Sequence, residues 1–410
     1  MDSSHFNILV VGGGCAGLTV ATRLYNLDRN LKIGVIEPSD VQNYQAAWTL
    51  VGAGAYSRAA TQRSMDSVFP SYLHRIKAYA QEFNPENNSV KTDAGEYTYD
   101  QLVVAPGLKI NFAGIEGLEQ SLGKNNVCTN YSADMADYTW ESLQQIKSGS
   151  RVLFTEPGMP IKCAGAPQKI MYLAADYFRK KGNLADMTIE FYCTKPVIFG
   201  VPYFQKPLND ICDYYGAERN FQHTLIAVNG DAKEATFKVV EEGKDPKQVT
   251  KKFDFMHVTP PQCAPDFIKN SPIADEAGWV SVDQGTLRHT KYENIYSLGD
   301  VMNAPNAKTG AAVRKQAPIV AHNIIADRNK SSEHQRYDGY GACPLTVEYG
   351  KVMLAEFCYG GKVAPSFPLD PRIPRSGYWW LKKNLFPYLQ WNVMFKGKDW
   401  NFPHHKPMSA

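Results

Sequence analysis

Apolar and polar positions along the chain first fall into a strand, a helix and a second strand. Residues 8–11 are an unbroken apolar run, three glycines follow, and after a helical stretch a second run, residues 32–36, ends at the acid Glu37. Residues 38–55 lose this periodicity. They are polar and glycine-punctuated, with Tyr44, Gln45 and Trp48 among them, and predict a loop whose aromatics either cover a ligand or anchor it to the domain core. Residues 67–80 predict a helix or loop returning to a short strand at 76–80, and stretches at 89–92 and 96–99 around Asp93-Ala94-Gly95 predict a small meander. Residues 102–104 then run into Ala105-Pro106-Gly107. Much later, residues 295–298 run into Gly299-Asp300, and Thr309-Gly310 opens a helix. Both ends suit the carboxyl edge of a parallel sheet, where the main chain passes close to a ligand. One nucleotide domain needs both runs, so the chain is predicted to leave it after residue 110 and return at 290.

The insert repeats the strand, helix, strand order. Strands at 151–155 and 187–192 flank a helix that begins at Pro167, carries an apolar stripe through Ile170, Met171, Leu173, Ala174, Tyr177 and Phe178, and stops at Lys180-Lys181-Gly182. Near the C-terminus, residues 377–398 hold three tryptophans with Tyr378, Phe386, Tyr388 and Phe395, interleaved with Lys382, Lys383, Lys396 and Lys398. Pro387 is expected to divide that stretch into two short helices, and Pro318 to kink or split the helix begun at Thr309.

The first unit carries G-x-G-x-x-G at Gly12, Gly14 and Gly17, with Glu37 twenty residues beyond the last glycine. Gly12 makes the tight turn, Gly14 lets the backbone approach a pyrophosphate, Gly17 lets helix and strand pack closely, and the helix N-terminus faces the phosphates. Glu37 can accept a hydrogen bond from a ribose hydroxyl and would repel the 2′-phosphate of NADP, which favours FAD or NAD. A bare glycine-rich turn would show the same letters, but strand, helix, second strand and acid all fall at the required spacing. The matching turn of the insert reads TEPGMPIKCAGAP. It lacks a second fingerprint, which argues against a nicotinamide site there.

Bulk numbers narrow the class further. A chain of 410 residues, 44% hydrophobic, has room for two or three domains, and 44 basic against 41 acidic residues gives no case for nucleic-acid binding. Eight cysteines, none in C-x-x-C or zinc-finger spacing, make neither a disulfide scaffold nor a structural metal site. No run of 18 apolar residues forms an ordinary membrane-spanning helix. With so few residues ahead of the first strand, no signal or transit segment is expected within this chain, which leaves a cytosolic start and a removed presequence both open.

Cys163 lies in the altered turn, four residues ahead of Pro167 and beside Lys162. A thiol near a helix N-terminus next to a lysine favours the thiolate. A buried inert cysteine is the competing reading, and this position alone does not separate the two. Cys343 sits in DGYGACPLTVEYG with no charged neighbour, and its loop context implies only accessibility. Cys15, Cys128, Cys193, Cys212, Cys263 and Cys358 carry no local argument for reactivity.

The set GGGCAG, Glu37, NYQAAWTLVGAGA, VVAPG, KCAGAPQKIMY, HVTPP, GDVMN and GYGACPL closely resembles the sulfide:quinone oxidoreductases of the mitochondrial type, within the two-dinucleotide-domain flavoprotein superfamily. The resemblance runs from about Phe6 to about Gly397. It implies an α/β chain of two tandem Rossmann-like dinucleotide-binding domains, the second degenerate: residues 1–110 with 290–335, residues 111–289 with Cys163, and a C-terminal region, 336–410, with Cys343 and amphipathic membrane-anchoring helices. It implies FAD at Gly12, Gly14, Cys15, Ala16, Gly17, Glu37, Gln45, Ala80, Asp300 and Gly310, to which the strand-end Gly107 adds. It further implies that Cys163 and Cys343 are the redox pair. Hydrosulfide would attack their disulfide or its sulfur-bridged form, Cys343 would keep a persulfide, and the Cys163 thiolate would reduce the flavin. Ubiquinone would take the electrons and a small thiol, sulfite or coenzyme A the sulfur. Cys128 falls where the bacterial type has a third working cysteine, and is expected to be a bystander. A lipid-soluble quinone turns residues 377–398 from a helix pair docked on its own core into a monotopic membrane anchor at the mitochondrial inner membrane. The competing functions are a type II NADH:quinone oxidoreductase, which needs the missing second fingerprint, and a flavin-binding redox sensor without turnover.

Overall fold

The structure is a computed structural model, described here for residues 4–399; the C-terminal region expected from the sequence extends to residue 410, beyond that limit. Strand β1 (His5–Val11) leads through the glycine turn into helix α1 (Cys15–Leu27) and strand β2 (Ile33–Ile36). Next come β3 (His74–Ile76), β4 (Ala80–Asn84), β5 (Ser89–Thr92) and β6 (Gly95–Val104). The sheet order is β3-β2-β1-β6-β5-β4, parallel through β3, β2, β1 and β6 and antiparallel at β5 and β4. Two expectations need correction. The strand placed at 76–80 is really β3 at 74–76, because its partner β2 aligns Ile36 with Ile76 and runs out there. The meander has three strands, and its last is continuous with the buried run at 102–104. Its outer end pairs with β5 and its inner end with β1.

The insert forms a second parallel sheet from β7 (Val127–Cys128), β8 (Arg151–Glu156), β9 (Thr188–Cys193), β10 (Glu218–Phe221) and β11 (Phe255–His257), in the order β7-β11-β8-β9-β10. Helix α2 (Ala166–Lys181) crosses between β8 and β9, its residues 167–176 all buried, and Gly182 at φ +82° stops it. The chain then returns to the first sheet. Strand β12 (Ile295–Ser297) lies parallel to β6, pairing Ser297 with Val104, and helix α3 (Gly310–Arg328) packs on α1.

Helix α3 runs unbroken across Pro318, so of the expected kink or split the split does not occur. Its stripe Val313, Ala317, Val320, Ala321 and Ile324 is clamped into the core of the first sheet, so packing outweighs the one hydrogen bond that proline removes. A hairpin follows, β13 (Gly341–Glu348) with β14 (Lys351–Phe357). The last segment also differs from expectation. Helix α4 (Ser376–Trp380) continues through a π turn, Leu381–Leu385, into α5 (Phe386–Asn392), with right-handed helical backbone at each junction. The wider turn falls just ahead of Pro387, where a missing N–H and a bulky ring would otherwise break the helix.

In-register pairing puts Val11, Ile36, Val104 and Ser297 on one edge, so the glycine turn, Glu37, Ala105-Pro106-Gly107 and Asp300 all project from it. Gly12, at φ +97°, would place a Cβ 2.5 Å from the Ala105 oxygen, and Gly17 a Cβ 1.7 Å from the Gly12 oxygen. Gly14 meets nothing within 4 Å. Gly17→Ala is therefore expected to destabilise the cofactor-free chain by about 3 kcal/mol or prevent folding, as overpacking does, whereas Gly14→Ala leaves the urea midpoint close to wild type. Urea unfolding of the two variants checks this.

Candidate active site

A cavity of about 420 Å³ is lined by the carboxyl edge of the first sheet, the Cys163 loop, the β13–β14 hairpin and the C-terminal helical run. Gly14, Cys15, Ala16, Gln45, Gly107, Asp300 and Gly310 line it. Gly12 and Gly17 lie in the turn beneath, and Glu37 accepts hydrogen bonds from Gly13 N and Ser39 N, both at 2.8 Å. Ala80 is not among the lining residues; it starts the edge strand β4. Tyr44 and Trp48 satisfy both readings of their loop, being buried and cavity-lining.

Several observations fit a dinucleotide here. The N-termini of α1 and α3 both reach the cavity, the space above Gly14 is open, and the buried Asn130 carboxamide, Gln390 Nε2 and Trp48 Nε1 reach it with no hydrogen-bond partner among the described residues. The lining is cationic, with Lys162, Lys169, Lys308, Arg314 and Lys382 against Asp300 and Glu356. Lys308 donates to the carbonyls of Asp300 and Met302, and burial pushes it down to about 8. Burial, aided by Asp300, pushes the Cys15 thiol up to about 12, so that thiol stays protonated.

Cys163 and Cys343, 180 residues apart in the chain, meet with their Sγ atoms 3.7 Å apart. That exceeds an S–S bond of ~2.05 Å, so these are two thiols in contact. Cys343 is fully buried on β13, not in an accessible loop as its sequence context implied. Gly165 makes the approach possible, since a Cβ there would lie 2.3 Å from Leu345 Cδ2. Cys163 sits three residues before α2 at φ +49°, a conformation L-residues rarely hold outside constrained sites. Its N–H donates to the Lys308 carbonyl at 3.0 Å, and its carbonyl accepts from Ala166 N at 2.7 Å.

The lysine in contact with this sulfur is Lys169, on the first turns of α2, with Nζ 3.0 Å from Cys163 Sγ. Lys162, the expected neighbour, turns instead to Gln45 Oε1 at 2.8 Å. The Cys343 thiol, donating to the ionised partner, and the Lys169 ammonium hold Cys163 well below the ordinary thiol range against the cost of burial, while Cys343 is pushed up by the same contact. Lys382 also departs from its expected place in a headgroup layer. It is 4% exposed, donates to the Ala46 carbonyl at 3.3 Å, lines the cavity and is pushed down to about 7 by burial. Its sequence signal is its place on the buried stripe Tyr378, Lys382, Leu389.

Cys128 is buried in the second core, its thiol pushed up to about 12, and does not line the cavity. His257 beside it on β11 accepts from Asn130 N at 3.0 Å, and burial pushes it down to about 3, so it is a neutral structural acceptor. At the ends of β8 and β9, where a nucleotide would meet the second sheet, Glu156 forms a buried ion pair with Lys195. The pair occupies the edge that the missing fingerprint would have opened.

The model of the pyridine nucleotide-disulphide oxidoreductases matches residues 6–143. The mitochondrial sulfide:quinone oxidoreductase of Mus musculus is 39% identical over 96% of this chain and 87% of its own length, and that of Dictyostelium discoideum 41% identical over 95% and 86%. The chain belongs to the mitochondrial sulfide:quinone oxidoreductase family. Its fold matches the crystal structure of the Aquifex aeolicus sulfide:quinone oxidoreductase with a TM-score of 0.79, at 21% identity over 97% of this chain and 92% of that one. Family membership makes the chain an oxidoreductase and implies a flavin cofactor.

Lys169→Met removes the cation beside Cys163, so the thiolate should form at higher pH. Because iodoacetamide alkylation of the reduced protein follows the thiolate fraction, the midpoint of its rate against pH should move upward in the variant, and that profile checks it.

Proposed function

We propose that this protein oxidises hydrogen sulfide and passes the electrons to ubiquinone, using FAD held over the carboxyl edge of the first sheet. The observation that carries the reading is the thiolate-stabilised pair of Cys163, in the wall of a cavity opening toward an apolar helical segment, and Cys343, buried directly behind it. Residues 1–110 with 290–335 hold the cofactor, 111–289 present Cys163, and 336–410 supply Cys343 and the membrane face. Gly12, Gly14, Cys15, Ala16, Gly17, Gln45, Gly107, Asp300 and Gly310 form the FAD cradle, Glu37 the ribose acceptor, and Ala80 the far adenine end. Bound FAD supplies the two-electron step between donor and acceptor.

In the oxidised pair, hydrosulfide attacks the Cys343 sulfur, the bond to Cys163 breaks, and Cys343 keeps the sulfane sulfur as a persulfide. Cys163 leaves as the thiolate, the better leaving group because Lys169 sits 3.0 Å away. A small thiol or sulfite then removes the sulfane sulfur from Cys343. Cys128 takes no part.

The quinone reaches the cavity between Leu381, Leu385, Phe386 and Leu389, which line it from the C-terminal helix. The opposite face of that helix exposes Trp380 at 57% and Tyr388 at 55%, with Ile373 and Leu369 also exposed nearby. Amphipathic aromatics of this kind suit the headgroup layer, and no helix among the described residues is long and apolar enough to cross a membrane. The reading is monotopic attachment to the mitochondrial inner membrane through 377–398. Trp391 and Phe395 belong to the core, so they stay out of the test. Trp380→Ser combined with Tyr388→Ser should lower co-sedimentation with anionic liposomes by about tenfold while leaving the melting temperature close to wild type.

An anaerobic visible titration tests the chemistry. Sulfide should bleach the flavin and a short-tailed quinone should restore it; Cys163→Ser and Cys343→Ser should each abolish bleaching with flavin still bound, while Cys128→Ser retains most of the turnover. A flavin untouched by sulfide but bleached by NADH would replace this reading with an NADH:quinone oxidoreductase.

A further inference from the structure

The β13–β14 hairpin divides two environments. On one face Cys343, Leu345, Met353 and Ala355 pack into the core beside Cys163, and on the other Ala342, Pro344, Leu354 and Glu356 line the cavity. Glu356 is thus a carboxyl group, 3% exposed, set among Leu354, Phe367, Leu381 and Leu385. A buried carboxylate is costly unless hydrogen-bonded, and this one is well supplied. Tyr340 Oη donates to its Oε1 at 2.5 Å, Ser366 Oγ donates to the same oxygen at 2.6 Å, and Ser366 N donates to Oε2 at 2.8 Å. Arg314 Nη2 in turn donates to Tyr340 Oη at 3.2 Å. Oε1 therefore carries two donors and Oε2 one, which leaves Oε2 the oxygen with room for a proton. All four of these residues line the cavity.

We propose that Glu356 is the proton donor to the quinone, held in place by Tyr340 and Ser366; this rests on the quinone half of the function proposed above. The balance requires such a group. Hydrosulfide, quinone and one proton give sulfane sulfur and quinol: sulfur loses two electrons, the quinone gains them, and one proton beyond that of HS⁻ must reach a quinone oxygen. That proton needs a carrier, and Glu356 is the carboxyl group on the hairpin face that lines the cavity beside Leu354. Glu356 takes up a proton from water on Oε2 and hands it to the nascent quinolate oxygen, and the carboxylate that remains is held by its three donors.

The test uses the flavin-loaded protein with its flavin reduced by dithionite, so that sulfide chemistry is bypassed, and follows reoxidation by a short-tailed quinone in a stopped-flow instrument. Glu356→Gln keeps the shape and the bonds to Ser366 N but cannot act as an acid. Reoxidation should slow by about tenfold or more, with a larger solvent deuterium isotope effect, while sulfide bleaching and the dissociation constant of a quinone analogue stay within about twofold of wild type. Tyr340→Phe keeps the carboxylate and both Ser366 bonds, so it supports the assignment even where Glu356→Gln fails to hold flavin: reoxidation slows by a smaller factor, with the same rise in isotope effect. Reoxidation within about twofold of wild type in both variants, or a parallel fall in bleaching, reoxidation and melting temperature, overturns the proposal. If wild-type flavin ignores sulfide while Glu356→Gln still slows reoxidation, the sulfide reading falls and the role of Glu356 stands.

Discussion

A sulfur anion kept from water is stable only beside a cation and a hydrogen-bond donor, and the site is arranged around that requirement. Lys169 supplies the cation from the first turns of α2, and Cys343 supplies the donor from β13. Both must arrive on rigid elements, because a small displacement would leave the charge unpaired. The left-handed backbone at Cys163 and the absence of a side chain at Gly165 are the local conditions for that approach. The anchoring of Cys163 N on the Lys308 carbonyl then ties the second sheet's loop to the edge of the first sheet.

The hairpin gives the chamber its division of labour. Because strand side chains alternate between faces, one two-stranded element can carry a thiol on its dry side and a carboxyl group on its cavity side, two residues of the same pairing ladder serving different chemistry. In the proposed reaction the electrons leave sulfur on one face and the proton reaches the quinone on the other. The cationic lining offsets the negative charge that both events bring into the cavity.

The C-terminal helix closes the same chamber and also explains why lysines cannot be assigned by composition alone. Lys382 and Lys383 are adjacent, yet Lys382 is buried against the cavity, because helical geometry turns neighbours about 100° apart. Burial brings its titration near neutrality, where a thiolate in the cavity favours its charged form. The π turn ahead of Pro387 keeps the helix intact across a proline that sequence rules treat as a break.

The nucleotide edge was legible from the chain by itself, since glycine spacing, apolar runs and the acid at Glu37 are local patterns with local causes: hard-sphere contacts at Gly12 and Gly17, and strand periodicity around them. The second strand-helix-strand unit and its altered turn were equally local. Placing Cys163 near a helix start was local too, but the lysine in contact with it was misassigned to Lys162, because adjacency in sequence says nothing of side-chain direction. The contact with Cys343, known beforehand only through a family resemblance, the burial of Lys382, and the hydrogen bonds that secure Glu356 from Tyr340 and Ser366 were decided by tertiary structure. Each joins side chains from different elements, or one element and the cavity it faces, and their meeting depends on how two sheets, a hairpin and a terminal helix pack rather than on any short-range preference.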